Sequence, residues 1–447
     1  MAKNSKQARL MNQKDLTKTF VYWALTIFLI KVIIASNVTQ GIWLGADGEN
    51  YLKALNGLLM DGVFSKESTL NYWPAGYPLV IYLLSVFGKS WVLTTLSIMQ
   101  SAIFSFSVYF FAKQLARTRL KNYSYFVFIL ILINPTLSLS SLVVGYESLA
   151  VSGALVATGL IIKDLVDKQD SKYLKNLISV SFVLGILAFM QPRLIVGSIG
   201  IIFIWCYYRK SRFVASISLI IATLIMVILP STLIYRNLKS TGLATVSTNL
   251  GVTMNIGAGD NASGGYGVGK QGVNCEIKSL DIGEADSQRV ICVLKWYVSN
   301  LDQTPRLFLN KSVYFWSPWS GPLASGTMFR NPWLKISPIK SMENNPEGIK
   351  TLLSPFGRFI SWAWLFCGLI LVFYGFVVLW NAKHIERIVG LIALTLVLSS
   401  WAVTLLSIGD HRFRLPIMGA SLFLQAIGFK TLFRWGKLPM ADAASLR

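Results

Sequence analysis

A chain of 447 residues that is 53% hydrophobic and only 14% charged lies outside the range of soluble domains, which run roughly 45–50% apolar and 25% charged. That balance excludes an ordinary soluble protein and predicts an all-α polytopic membrane protein. The formal charge of +22 raises nucleic acid as a partner, but the Lys and Arg residues form no separate basic domain. They sit in short clusters between apolar runs, which is the pattern of membrane topology.

In chain order, ten apolar runs approach the roughly 17–25 helical residues that a bilayer core of about 30 Å requires. They fall near residues 20–36, 91–112, 123–134, 138–162, 176–191, 194–208, 213–235, 356–380, 388–408 and 413–432, the third and sixth being short. A shorter run at 76–88 reads as an interfacial helix. No small-residue cleavage site follows the first run, so it reads as an uncleaved signal anchor. Cations collect in every second connection: Lys3 to Lys18, Lys113 to Lys121, Lys163 to Lys175, Arg209 to Arg212, Lys383 with Arg387, and Lys430 to Lys437. By the positive-inside rule both termini are cytoplasmic, in a multi-pass protein of the plasma (inner) membrane. The chain then divides into a basic tail (1–19), seven helices over 20–235 with a first outer loop at 37–90, an extracytoplasmic domain (236–355), three more helices over 356–432, and a second tail (433–447).

This topology gathers Asp47, Glu49, Glu147, Arg193, Arg236, Asp410, His411, Arg412 and Arg414 at the outer ends of spans. Asp47 and Glu49 lie in Gly45-Ala-Asp-Gly-Glu-Asn-Tyr51, and Asn71-Tyr-Trp-Pro-Ala-Gly-Tyr-Pro78 follows. The acids are either a solvated pair near a helix N-terminus or the centre of a site. Glu147 enters a span from its outer end, where a carboxylate is costly unless it faces a polar cavity. Lys31 either snorkels to the interface or meets an anionic ligand. Tyr51, Tyr72, Trp73 and Tyr77 suit sugar stacking or an interfacial aromatic belt. No repeat with ionisable groups at the bilayer midplane, as a transporter would be expected to have, is visible.

The long connection after Arg236 begins with a glycine-rich stretch, Asn255 to Gly269, which is either a flexible loop or backbone that lets a ligand approach. Residues 284–316 show helical periodicity, with Val290, Val293, Leu294 and Tyr297 on one face. Cys275 and Cys292 both fall in this outer region, where oxidising conditions permit a disulfide.

The order of a long first helix, the outer acidic pair Asp47-Gly-Glu49, Pro-Ala-Gly-Tyr-Pro78 and many further spans resembles the GT-C superfamily of integral-membrane glycosyltransferases. The chain is most similar to the branch of protein O-mannosyltransferases and the lipid A aminoarabinose transferase. Leu233-Ile-Tyr-Arg-Asn237, Asn310-Lys-Ser-Val-Tyr-Phe-Trp-Ser-Pro318 and Gly409-Asp-His-Arg-Phe-Arg-Leu-Pro416 fit the same pattern, which covers nearly the whole chain.

The resemblance implies inverting transfer of a sugar from a polyprenyl-phosphate donor to a glycan, lipid or protein acceptor on the outer face. Asp47 is the candidate base, and Glu49 a second catalytic candidate that positions Asp47, binds acceptor or joins a metal site. Arg193, Arg236, Arg412 and Arg414 are candidates for the donor phosphate, since guanidinium groups bind phosphate bidentately. Arg412 and Arg414 also read as anchors of the last span. Glu147, Tyr77, His411 and Lys31 are accessory candidates. No cofactor is expected, with a divalent metal at Asp47 and Glu49 as the open option. Two other classes remain: a flippase or transporter of lipid-linked sugars, and an O-antigen polymerase or ligase-like enzyme.

Overall fold

The computed structural model describes residues 13–38, 41–44, 47–265, 272–316, 355–382 and 384–433. Helix α1 (Gln13–Ser36) leads into a loop region with strand β1 (Trp43–Leu44) and helices α2 (Gly48–Asp61), α3 (Thr69–Tyr72) and α4 (Gly76–Leu83). Next come α5 (Val92–Leu115), α6 (Lys121–Ile133), α7 (Pro135–Ser140), β2 (Val143–Val144), α8 (Glu147–Asp167), α9 (Asp170–Met190), α10 (Ile195–Arg209) and α11 (Arg212–Thr241). A smaller unit of α12 (Leu250–Ile256), α13 (Ile282–Ser299) and α14 (Thr304–Trp316) precedes α15 (Pro355–Trp380), α16 (His384–Leu406) and α17 (Met418–Leu432).

Among the described residues, eight helices are long and apolar enough to cross a membrane: α1, α5, α8, α9, α11, α15, α16 and α17, with α5 and α17 counted together with the turns that precede them. The chain is thus an all-α polytopic protein suited to a bilayer. Its outward faces are apolar, as the exposed row Ile217, Ile220, Leu224 and Ile228 on α11 illustrates.

Two of the ten predicted runs, now α6 and α10, are helices of 13 and 15 residues, shorter than a span. Arg117, just past α5, is salt-bridged to Asp167 at the end of α8, so these two helices run the same way. The chain returns between them through α6, only about 20 Å long at 1.5 Å per residue. Asn134 then breaks the helix, its side chain capping α7 through the Leu137 N–H at 3.1 Å. Likewise Arg209 closes α10 on Asp164, near the far end of α8, at 3.1 Å. Residues 138–146 correct the reading of a span from 138 to 162: they form the end of α7 and strand β2, because Val143 and Val144 pair with β1.

The described basic connections share one end of the bundle. There Arg209 and Lys210 meet Asp170, Glu386 accepts the Arg119 N–H at 3.0 Å, and Lys430 reaches the Asn122 carbonyl. Asp47 and Glu147 lie at the other end. The smaller unit packs on that end around Met254, Ala258, Val293, Tyr297 and Leu307. Of the residues predicted on one face, Val293 and Tyr297 are buried and Leu294 is 41% exposed. Residues 1–12 and 434–447 of the tails, 39–40 and 45–46 of the first outer loop, 266–271 and 317–354 of the predicted outer domain, and Lys383 fall outside the described residues.

Candidate functional site

Two residues of parallel pairing start the site. Trp43 and Leu44 stand opposite Val143 and Val144, and the Trp43 N–H donates to the Leu142 carbonyl at 2.9 Å. Three residues past each strand comes an acid at a helix start: Asp47 precedes α2 and Glu147 opens α8. An aspartate at such a position ordinarily caps the helix with its side chain. Asp47 makes no side-chain cap, so its carboxylate is turned elsewhere. A Cβ at Gly145 would lie 2.3 Å from the Glu147 carboxylate and would displace it from Arg412. Tyr77 braces this turn from behind, accepting the Gly145 N–H at 2.8 Å and donating to Gln100 at 3.1 Å. Gln100 in turn donates to the Ser141 and Val143 carbonyls at 3.1 and 3.0 Å.

The counter-charge arrives from the other end of the sequence. After α16 the chain makes a 3-10 turn over His411–Ile417, opened by Asp410, whose carboxylate accepts the Arg412 N–H at 3.0 Å. Arg412 reaches Asp47 at 2.5 Å through one guanidinium nitrogen and Glu147 through another, and all three side chains are buried. A buried guanidinium between two carboxylates satisfies the rule that interior charges persist only when paired. Arg414 emerges on another side of the turn, donating to the Trp316 carbonyl at 2.7 Å. The His411 ring nitrogen lies 3.5 Å from Asp410.

A cavity of about 310 Å³ adjoins this cluster, with Asp47 and Arg412 in its wall. Trp73 and Tyr51 line it from the first loop, Gln191 and Arg193 from the α9–α10 turn, Asn249 and Thr253 from the start of α12, and Ser407 and Phe413 from either side of Asp410. The Arg193 guanidinium lies 3.8 Å above the Phe413 ring and donates to the Tyr146 hydroxyl. Its Nε is buried with no hydrogen-bond partner among the described residues, and no carboxylate pairs with it there. Burial raises the phenols of Tyr51 and Tyr146 above the ordinary tyrosine range, so both remain neutral donors near neutral pH. The cavity therefore offers a buried carboxylate, a guanidinium with unused hydrogen-bonding capacity, and neutral polar and aromatic walls.

The remaining predicted residues lie elsewhere. Glu49 is exposed on the first turn of α2, whereas Asp47 is buried on Arg412, so the two are not arranged to share a cation. Arg236 is not in the cavity wall. It is buried under the first loop, where it donates to the carbonyls of Val63 at 3.0 Å, Leu70 at 3.4 Å and Ser65, and to the Asn71 and Asn237 side chains at 2.7 and 2.8 Å. Those bonds occupy the guanidinium as a clamp on the loop, away from the cavity. Arg414 is likewise directed at Trp316, not at the cavity. Lys31 does not snorkel: it is buried, with Nζ 4.1 Å above the Phe104 ring. Tyr77 is fully buried, 4.9 Å from Tyr51, and supports the site without facing it, while Tyr72 does not line the cavity.

Cys275 and Cys292 form a disulfide with Cα atoms 6.0 Å apart. Sequence reasoning passed over Tyr146, Gln191 and Phe413, each a neighbour of a charged residue it had singled out. It also passed over Lys311, which is buried and ties three elements together: Nζ donates to the Tyr297 hydroxyl at 2.6 Å and to the Leu405 and Ser407 carbonyls at 2.9 and 2.7 Å. Beside it the Gly409 N–H donates to the Gly264 carbonyl at 2.7 Å, and a Cβ at Gly409 would meet the Lys311 Cα at 2.7 Å. The chain matches no protein-family model and no curated protein sequence.

Proposed function

We propose that this chain is an inverting glycosyltransferase of GT-C type, which moves a sugar from a polyprenyl-phosphate donor to a hydroxyl acceptor at the outer face of the plasma membrane, with both termini cytoplasmic. The observation that carries the reading is the single cavity wall that joins the buried Asp47 carboxylate to Arg412 and the carboxylate-free Arg193. Glycosyl transfer requires both: a base for a hydroxyl that is a poor nucleophile near neutral pH, and fixed positive charge for a phosphate leaving group.

Asp47 takes the acceptor's proton as its oxygen attacks the anomeric carbon. The bond from that carbon to the phosphate oxygen breaks, and the electron pair leaves with the polyprenyl phosphate. Arg193 holds the phosphate before and after this step through its guanidinium. Arg412 is held by Asp47 and Glu147 and orients the base. One displacement inverts the anomeric centre, and Asp47 is the one carboxylate among the described residues of the cavity wall. A volume of about 310 Å³ suits one sugar ring and falls at the small end of ligand cavities, roughly 300–1,000 Å³.

The test is to incubate purified protein in lipid nanodiscs with radiolabelled polyprenyl-phosphate sugars and a mixture of envelope glycans, lipids and proteins. Label should enter an acceptor while polyprenyl phosphate is released. Movement of lipid-linked sugar across vesicles, with no glycosidic bond formed from any donor, would replace this reading with a transporter.

A further inference from the structure

We propose that a second, larger cleft in the smaller unit is a docking site for a carbohydrate acceptor chain; this rests on the glycosyltransferase reading. The cleft has a volume of about 650 Å³ and lies between the 259–263 loop and helices α13 and α14. Its lining is dominated by planar polar side chains: Asp260, Asn261, Asp302, Gln303, Arg306 and Asn310. Each sugar hydroxyl both donates and accepts a hydrogen bond, so neighbouring hydroxyls are matched by groups that present two adjacent donors or acceptors, as carboxylates, amides and guanidinium groups do. Among the described lining residues Trp296 adds an aromatic surface, and its Nε1–H is fixed on Asp260 at 3.2 Å. That bond satisfies the indole's polar edge and leaves its apolar face for the C–H side of a sugar ring. A peptide would be recognised by apolar side-chain pockets or a sheet edge. Among the described residues the lining offers only Ala262 and Leu307 as aliphatic side chains, and no strand borders it.

The cleft and the inner cavity share a wall. Asn310 lines the cleft, and the next residue, Lys311, holds the carbonyl of Ser407, which lines the cavity. Helix α12 presents Leu250 and Thr253 to the cavity, and the chain following it forms the rim of the cleft. The Gly264 to Gly409 hydrogen bond joins that rim to the segment carrying Asp410 and Arg412. A glycan chain seated outside is thereby anchored on the same frame that positions the base. Such remote binding lets contacts far from the reacting atoms orient the acceptor hydroxyl. The frame is stiffened by the Cys275–Cys292 disulfide, with Cys275 packed on the Met254, Val293 and Tyr297 core.

The experiment uses the full chain in nanodiscs and saturation-transfer NMR, with oligosaccharides of graded length released from the host's own envelope polysaccharide, and a pool of unstructured peptides as the competing probe. Longer oligosaccharides should bind more tightly. Trp296→Ala and the milder Gln303→Ala should each weaken that binding by about tenfold or more, as loss of an anchoring contact does. Asp47→Asn should leave it unchanged. In transfer assays the same cleft variants should raise KM for a long acceptor and leave kcat on a short one alone. Oligosaccharide binding insensitive to both variants, no binding at all, or preferential peptide binding would overturn the proposal. Cleft binding without transfer from any donor would retire the glycosyltransferase reading and leave the carbohydrate site standing.

Discussion

Asp47 and Glu147 occupy the same register, three residues beyond a pair of matched parallel strands, and both carboxylates bind Arg412. One of them enters the cavity wall and the other does not. Equal partners in the ion cluster are therefore unequal toward a substrate.

That inequality gives the first prediction. Asp47→Asn keeps the side-chain size but cannot take a proton, so turnover should fall by about 10²–10⁴-fold while donor binding persists. Glu147→Gln removes a charge-assisted hydrogen bond to Arg412, costing about 1.5–3 kcal/mol of stability and lowering turnover less than Asp47→Asn. Single-turnover kinetics with thermal unfolding of both variants checks this. Near wild-type transfer by Asp47→Asn would remove the base.

The arginines separate in the same way. Arg193→Ala should weaken donor binding by about 10–150-fold, equivalent to about 1.5–3 kcal/mol for a lost charged hydrogen bond. Arg193→Lys should restore little, because an ammonium lacks the planar face that stacks on Phe413. Arg236→Ala should instead lower the yield of folded protein, with donor KM per folded molecule unchanged, since it strips partners from buried loop carbonyls. Titrating a polyprenyl-phosphate sugar into the three variants decides the assignment.

The sequence made the bundle legible because helices that face lipid must announce themselves as long apolar runs. Glu147 also stood out, a charge a few residues inside such a run. The boundary of α8 did not: Leu139, Leu142, Val143 and Val144 read as helix, and only pairing with β1, a hundred positions away, makes two of them strand. Arg236 looked like a phosphate ligand because the groups that occupy it are mostly backbone carbonyls of residues 63, 65 and 70, which leave no side-chain signature. Lys311 lay inside a recognised motif, but its burial depends on α16 ending where Leu405 and Ser407 can accept from it.

Lys311 supplies a pH prediction. Its partners are uncharged, and burial pulls the ammonium down to about 7 from the ordinary lysine value of 10.5. Between these two values the unfolded chain holds a proton that the folded chain has released, so stability rises with pH in that window and is flat, for this group, below about 7. The slope from this residue is at most about 1.4 kcal/mol per pH unit. Thermal unfolding from pH 6 to 9 should show a rise that Lys311→Met abolishes; an unchanged slope in the variant would sink the assignment.

The last prediction concerns sidedness, on which a shared outer site depends. The Cys275–Cys292 disulfide belongs to an oxidising compartment, and it lies in the unit packed on the Asp47 end of the bundle. The opposite end carries the basic connections, whose cations mark the cytoplasmic side under the positive-inside rule. Both arguments predict an outer cavity, and they are independent, one resting on redox chemistry and the other on charge. Cysteines introduced at Asn50 and Ser263 should therefore react with a membrane-impermeant thiol reagent in intact cells, and one at Ser171 should react only after permeabilisation. Mass spectrometry of unreduced, alkylated peptides from the same membranes should find Cys275 linked to Cys292. Labelling at Ser171 in intact cells, with Asn50 and Ser263 silent, would invert the topology and leave an extracytoplasmic acceptor without access to Asp47.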